Sequence, residues 1–252
     1  LDTAFDVMGD IILSTAAQQY GGFTVPEVDK ILAPYAKKSY DKYISEFMKY
    51  SDESWSGREE RAIEYALDKV RRDYDQGWQG IEYKLNTVGS SRGDYPFVTV
   101  TLGLGTEQFE KMCTISLLEV HQGGQGKAGH KKPVLFPKIV FLYDKEIHGP
   151  GKCCEDIFEA GVECSSKTMY PDWLSMSGEG YIAEMYKKYK RVISPMGCRA
   201  FLSPWYKEGG MKPADEKDEP IFVGRFNIGA VSLHLPMIYA KSNRKVKISM
   251  KY

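Results

Sequence analysis

Cysteine is the residue type in this sequence with the widest chemistry, because its thiolate is a nucleophile and a metal ligand. The chain of 252 residues contains five: Cys113, Cys153, Cys154, Cys164 and Cys198. The odd count and wide spacing argue against the disulfide framework of a small secreted protein. No two cysteines have the C-x-x-C spacing of a zinc or thioredoxin-type motif. We therefore expect reduced thiols, one or more of them reactive.

Cys198 differs from the other cysteines in its surroundings. It follows Pro195 and Gly197 in the segment SPMGCRAFL, which predicts a tight loop leading into a strand. Loop tips between rigid elements often carry reactive groups, whereas a free cysteine is more often a small buried apolar residue. Arg199 would lower the pKa of the thiol only if both side chains lay on the same side of the strand. From the residues alone, both interpretations stay open.

The remaining thiols have simpler explanations. Cys153 and Cys154 form an adjacent pair before a predicted helix, where they would either pass on a radical or close a strained disulfide, or be two incidental thiols. We favour the incidental interpretation. Cys164 and Cys113 fall in helical stretches and are predicted to face the core.

Other motifs for ligand binding are weak. No two of the four histidines have the spacing of a metal-binding helix. The segment Gly103-Leu104-Gly105 resembles half of a nucleotide-binding loop but lacks the rest of that motif. The loop at 122–132, rich in Gly, Lys and His, would bind phosphate through its amides and lysines or be a flexible surface loop. We predict no metal site from these patterns.

Composition excludes several classes of protein. Hydrophobic residues make up 42% of the chain and charged residues 27%, which is typical of a globular protein. Lys plus Arg equals Asp plus Glu at 34 each, so the overall charge does not favour nucleic acid or anionic membranes as partners. Apolar runs fall short of the roughly 18 residues of a membrane helix, and the acidic start does not resemble a signal peptide. We therefore expect a cytoplasmic protein without a membrane partner.

The elements predicted around these residues change in type near residue 85. Residues 1–85 show helical periodicity, with Gly21-Gly22 expected to end the first helix and Thr24 expected to cap the next, three residues before Glu27. Residues 86–252 alternate helices with short apolar strands, which indicates an α/β fold with parallel strands. Strands are expected at 95–104, 134–143, 199–203 and 228–234, and a solvated charged loop at 207–219.

Seven segments, in order along the chain, resemble the anaerobic (class III) ribonucleoside-triphosphate reductases of the glycyl-radical enzyme group. They are QYGG (19–22), DKILAPY (29–35), PFVTVTLGLGT (96–106), LFPKIVF (135–141), ECSSKTMYPD (163–172), SPMGCRAFL (194–202) and GRFNIGAVSLHLP (224–236). This resemblance implies part of a ten-stranded α/β barrel with a finger loop near 194–200, preceded by a helical region at 1–85 on the dimer and effector side.

The resemblance also implies roles for three residues. Cys198 falls on the family's Met-Gly-Cys-Arg motif, whose cysteine becomes a thiyl radical and removes hydrogen from the 3′ carbon of the ribose. Met196 matches the finger-loop methionine beside that cysteine. Asn227 matches an asparagine near the ribose hydroxyls, and its presence resembles the formate-using branch of the family. At Ala200 many members have serine, so a hydroxyl near the substrate is lost here.

For the complete enzyme, the resemblance implies a glycyl radical, a structural zinc and formate, none of them held by this chain. The expected partners are a ribonucleoside triphosphate substrate, deoxynucleotide and ATP effectors, a radical-SAM activating enzyme, and a second copy or the missing segments. The chain is therefore expected to be an internal piece of the catalytic subunit. Two alternatives remain: a pyruvate formate-lyase-like acyltransferase using Cys153-Cys154, and a non-catalytic nucleotide-binding or assembly fragment.

Overall fold

A four-stranded parallel sheet with helices between its strands forms the main part of the protein. The computed structural model describes residues 1–89, 93–196, 201, 205–224 and 231–242. The strands lie in chain order as β1 (Phe23–Val25), β2 (Val98–Leu102), β3 (Lys138–Tyr143) and β4 (Asp172–Ser175). The helices are α1 (Asp2–Gln18), α2 (Val28–Tyr50), α3 (Arg58–Thr87), α4 (Gln108–Gly123), α5 (Lys145–His148), α6 (Glu155–Thr168), α7 (Tyr181–Tyr189) and α8 (Leu235–Lys241). The predicted α/β class with parallel strands is confirmed.

In the long helix α3, the spacing of apolar residues determines which face of the helix is buried. Its buried positions recur at helical spacing and include Ala62, Ala66, Val70, Tyr74 and Trp78. This face packs against α1, α2 and α4, and it joins β2 in one hydrophobic core. Because β1 lies within the first 85 residues and pairs with β2, the sheet and this core both cross the predicted division at residue 85. The dimer and effector role expected for the helical region stays a prediction.

The sheet is covered on both of its faces. Val98, Val100 and Leu102 of β2 belong to the core formed with the helices, which we call the first face. Alternate residues point the other way, so Thr99 and Thr101 belong to the second face. There a smaller cluster contains Leu104, Val140, Leu142, Met176 and Val192, with Ile182 and Tyr186 of α7 packed against it.

The predicted helix start at Thr24 is wrong. Thr24 lies in β1, where it pairs in parallel register with Thr99, and α2 begins at Val28. Glu27 precedes that helix in a left-handed conformation, with φ of 45° and ψ of 51°. Its backbone N–H donates to Thr101 Oγ1 at 2.8 Å, so the sheet, and not a capping side chain, determines this turn.

Gly21-Gly22, which we expected to end α1, does not do so through the left-handed conformation that paired glycines favour. The helix ends at Gln18, and Gln19 follows in an extended conformation with φ of −94°. Gly22 is needed for a different reason. A Cβ atom there would lie 2.7 Å from Phe97 Cδ1 and 2.8 Å from the Phe97 carbonyl oxygen. Glycine therefore permits the chain entering β1 to lie close to the segment before β2.

The last part of the chain contains short elements. An antiparallel pair, β5 (Trp205–Tyr206) and β6 (Pro220–Ile221), encloses the charged loop, which is largely exposed as predicted. The strand expected at 199–203 lies outside the described residues except for Phe201. Of the strand expected at 228–234, the described part, 231–234, is not a strand, because His234 caps α8 and its Nδ1 accepts from Met237 N at 3.0 Å. Within the described ranges, no helix has the length and apolar character needed to cross a bilayer.

Candidate active site

The segment that leads to Cys198 lies on the second face of the sheet, near the carboxyl ends of its strands. Val192, Ile193 and Met196 are buried there. Val192 packs with Leu104, which follows β2, and with Met176, which follows β4. Ligands of α/β proteins usually bind outside the carboxyl ends of the strands. The candidate site therefore lies at this edge of the sheet.

Two hydrogen bonds attach this segment to neighbouring strands. Thr24 Oγ1 in β1 donates to the Pro195 carbonyl oxygen at 2.6 Å. The hydroxyls of Thr101 in β2 and Ser194 lie 3.1 Å apart, within hydrogen-bonding distance. Because both strands belong to a packed sheet, the backbone is held in place a few residues before Cys198.

A small cleft lies between β1 and the segments that precede Cys198 and Asn227 in the sequence. Its volume is about 90 Å³, and it is lined by Phe23, Thr24, Pro26, Ser194, Met196, Phe222, Val223 and Gly224. Met196 is buried and lines this cleft. Cys198 and Asn227 lie outside the described residues, but they closely follow Met196 and Gly224 in the sequence. The cleft brings together the chain segments that lead to both of them.

A buried carboxylate fixes the loop after β2. Asp29 Oδ2 accepts hydrogen bonds from the backbone amides of Gly103 at 2.9 Å and of Gly105 at 3.1 Å. Burial raises the pKa of Asp29 to about 6, against the opposing effect of these amides. Since the amides of Gly103 and Gly105 already bind a side chain, they are not free to bind a phosphate. The partial resemblance of this segment to a nucleotide-binding loop therefore does not indicate a phosphate site formed by these two amides.

His148 holds the same loop from the other side. Its Nε2 lies 2.7 Å from the Gly103 carbonyl oxygen, and Asp144 N donates to its Nδ1 at 2.9 Å. These partners assign the proton of the neutral ring to Nε2. Burial lowers the pKa of His148, which favours this neutral form. Asp29 and His148 thus clamp Gly103 by its amide and its carbonyl.

Two of the other cysteines lie in helices, and two lie in the turn just before α6. Cys113 in α4 and Cys164 in α6 are buried, as predicted. Cys154 is buried at the start of α6, while its neighbour Cys153 is exposed. In the part of the chain that the structure describes, no three His, Cys, Asp or Glu side chains converge as a metal site would require.

Sequence reasoning missed the residues that position the predicted finger loop. The sequence pattern predicts a helix cap at Thr24, and it predicts no role for Thr101, for Ser194, or for Asp29, which holds the loop after β2. The partners of these residues lie more than 70 positions away in the chain, as the pairs Thr24–Pro195 and Asp29–Gly103 show. One available signal was the alternation of Thr and apolar residues in β2, which marks two different faces.

The sequence model of the anaerobic ribonucleoside-triphosphate reductases matches residues 1–251. The enzyme of that name from Enterobacteria phage T4 is 36% identical over 242 residues, which cover 94% of this chain and 36% of the relative. The Escherichia coli enzyme is 35% identical over 239 residues, covering 94% of this chain and 30% of the relative. The chain thus spans about a third of the length of these relatives. With nearly its whole length matched, the chain belongs to the anaerobic ribonucleoside-triphosphate reductase family.

Proposed function

We propose that the chain is part of a catalytic subunit that reduces ribonucleoside triphosphates to deoxyribonucleotides by radical chemistry, with formate as the reductant. Besides family membership, one structural observation supports this proposal. The segments that precede Cys198 and Asn227 line one cleft, and hydrogen bonds to β1 and β2 hold the first of them. A radical cysteine and a substrate-binding amide need this kind of common site.

In this proposal, Cys198 removes hydrogen from the 3′ carbon of the ribose as a thiyl radical and later returns it. The S–H bond suits this role because it is close in strength to the ribose C–H bond. In the net reaction, the 2′-hydroxyl leaves as water, a hydrogen takes its place, and formate is oxidised to carbon dioxide. Asn227 would hold the ribose hydroxyls or the formate by hydrogen bonds. Met196 would pack beside Cys198 and help to exclude water from the radical.

We also propose that the second face of the sheet faces the interior of a ten-stranded barrel. The consecutive parallel order of β1 to β4 suits a continuous barrel wall, and the segment at 192–196 follows its inner side as a finger loop would. The helices on the first face would then form the outside. Effectors and a second copy would bind on the helical side, around residues 1–85, in a cytoplasmic enzyme.

The glycyl radical and the structural zinc of the complete enzyme are assigned to no residue of this chain. A glycyl radical would supply the unpaired electron for Cys198, and a radical-SAM activating enzyme would generate it. The chain's own contribution is to bind and orient the nucleotide and to keep the thiol in a closed pocket.

The test is an assay of deoxynucleotide formation under strict anoxia, with the chain completed by the remaining segments and the activating enzyme. We expect Cys198→Ser to lower turnover at least about a thousandfold, a barrier increase of ~4 kcal/mol or more. The matched control is Cys153→Ser, which changes an exposed thiol and should leave turnover unchanged. Full activity of Cys198→Ser would refute the mechanism. Effector binding without any turnover in the unsubstituted protein would instead favour a non-catalytic module.

A further inference from the structure

The side chains of Cys153 and Cys154 point in the same direction, although the two residues are adjacent. Their Sγ atoms lie 3.6 Å apart. Neighbouring side chains in a strand diverge to opposite faces, and those in a helix diverge around its axis. Here the turn before α6 brings the two thiols into contact.

Hydrogen bonds to two helices, α5 and α4, hold the backbone of the pair. Cys154 N donates to the Ile147 carbonyl oxygen of α5 at 2.9 Å. Lys111 Nζ in α4 donates to the Cys153 carbonyl oxygen at 2.7 Å and also pairs with Asp156 of α6 at 2.8 Å. The arrangement of the two thiols is therefore a feature of the packed structure and not of a free loop.

The two thiols differ in their access to solvent. Cys153 is exposed, whereas Cys154 is fully buried and its Sγ lies 3.7 Å from the Gly105 carbonyl oxygen. A reagent in solution can therefore reach Cys153 first. Cys154 can react only with the Sγ atom of Cys153, after Cys153 has formed a mixed disulfide. In a redox-sensitive pair, an exposed cysteine attacks the reagent and a neighbouring cysteine resolves the mixed disulfide, and Cys153 and Cys154 suit these two roles.

We propose that Cys153 and Cys154 form a redox-sensitive site that reacts with low-molecular-weight disulfides and closes to a reversible Cys153–Cys154 bond. In the first step, the Cys153 thiolate attacks one sulfur of the disulfide, forms a mixed disulfide and releases one thiolate. In the second step, the Cys154 thiolate attacks Cys153 Sγ, forms the bond between the two cysteines and releases the second thiolate. The cysteine pair loses two electrons, the reagent gains them, and the two protons end on the released thiols.

The product is expected to be readily reduced. Consecutive Cα atoms are about 3.8 Å apart, below the roughly 4.4–6.8 Å that an unstrained disulfide prefers. Strain makes a disulfide easier to reduce, so the bond would open again when thiols are in excess. Closing it also removes the S–H group that lies beside the Gly105 carbonyl. Because Asp29 binds the amide of Gly105, oxidation would act on the loop that follows β2.

The experiment exposes the folded protein to oxidised glutathione, alkylates the free thiols and analyses the tryptic peptide 153–167 by fragmentation mass spectrometry. We expect this peptide to carry a single alkyl group, on Cys164, and to be two hydrogen atoms lighter than the same singly alkylated peptide with Cys153 and Cys154 as free thiols. Dithiothreitol should restore two free thiols.

Three variants separate the steps. Cys154→Ser should keep a stable glutathione adduct on Cys153, and Cys153→Ser should show neither adduct nor closure. Cys164→Ser, which changes a buried thiol in the same peptide, should behave like the unsubstituted protein. A lasting glutathione adduct in the unsubstituted protein, or alkylation of both cysteines after treatment, would overturn the proposal.

Discussion

At the residue scale, Asp29 shows how burial and hydrogen bonding oppose each other. Its carboxylate accepts from the backbone amides of Lys30, Gly103 and Gly105, and each of these bonds favours the charged form. Loss of water around the buried carboxylate favours the neutral form, and it is the larger effect, because the pKa rises from 3.8 to about 6. Burying the charged form of Asp29 is therefore unfavourable in electrostatic energy. The hydrogen bonds of the carboxylate nevertheless fix the loop that follows β2.

This raised pKa predicts a pH dependence of stability. Between pH values of about 4 and 6, the folded chain keeps a proton on Asp29 that the unfolded chain releases. Unfolding then releases protons, so the contribution of Asp29 to the free energy of unfolding falls as pH rises through this window. Each pKa unit of the difference between the folded and unfolded chain corresponds to ~1.4 kcal/mol, so the free energy of unfolding should fall by roughly 2–3 kcal/mol. Urea denaturation of the protein and of Asp29→Asn across this range isolates the contribution as the difference between the two curves.

The Asp29→Asn variant also tests the clamp on the loop. One amide oxygen can still accept from Gly103 and Gly105, but the NH₂ group would then face the N–H of Lys30, which leaves that donor without its partner. We expect a loss of about 1–3 kcal/mol at the low end of the pH window, where the charge of Asp29 matters least. Parallel curves for the two proteins at all pH values would contradict the assignment of the titration to Asp29.

At the scale of elements, the contact between α1 and α3 depends on a glycine. A Cβ atom at Gly77 of α3 would lie 2.2 Å from Phe5 Cδ2, and the Phe5 ring is itself held edge-on against Trp78 with ring centroids 5.1 Å apart. We expect Gly77→Ala to lower the free energy of unfolding by about 1–3 kcal/mol, because α1 must move away from α3.

The matched control for this prediction is Gly80→Ala on the same helix. A Cβ atom there meets nothing within 4 Å, so the substitution should raise stability by up to ~1 kcal/mol through helix propensity alone. Urea denaturation midpoints at equal slope provide the measurement. A loss of stability in both variants would mean that the effect at Gly77 does not come from the contact with Phe5.

The same elements show why the fold was predictable only in part. The period of Ala62, Ala66, Val70 and Tyr74 predicted α3, because its burial repeats along one long helix. β1 has only three residues, and its Thr24 together with Glu27, which follows the strand, matches the spacing of a helix cap. Only pairing with β2, more than 70 residues later, makes this segment a strand. The local sequence therefore predicted α3, whose buried positions repeat along one helix. It did not predict β1, whose conformation depends on pairing with a strand far away in the chain.

Across the whole molecule, the two faces of the sheet have different roles. The first face carries the large hydrophobic core with the helices, so its substitutions act on stability. The second face carries Thr24 and Thr101, whose hydroxyls bind the backbone and side chain of the segment before Cys198. Family resemblance predicted Met196, Cys198 and Asn227 from their motifs. The threonines that hold the segment belong to the sheet and not to these motifs, and the alternation in β2 marks only the face on which Thr101 lies.

This division of roles predicts that Thr24 acts on catalysis through the position of Cys198. Thr24→Val keeps the size of the side chain but removes the donor to the Pro195 carbonyl oxygen. In the completed enzyme, we expect turnover at saturating nucleotide to fall about ten- to hundredfold, because a small misplacement of a reacting group is costly. Thr24→Ser keeps the hydroxyl and should retain most of the activity. Amide hydrogen exchange in the segment 192–196 should accelerate in Thr24→Val alone, a readout that does not depend on the reaction. An equal loss of turnover in both variants would mean that the hydroxyl of Thr24 is not the cause. Normal turnover together with normal amide exchange in Thr24→Val would show that the hydrogen bond to Pro195 does not position Cys198.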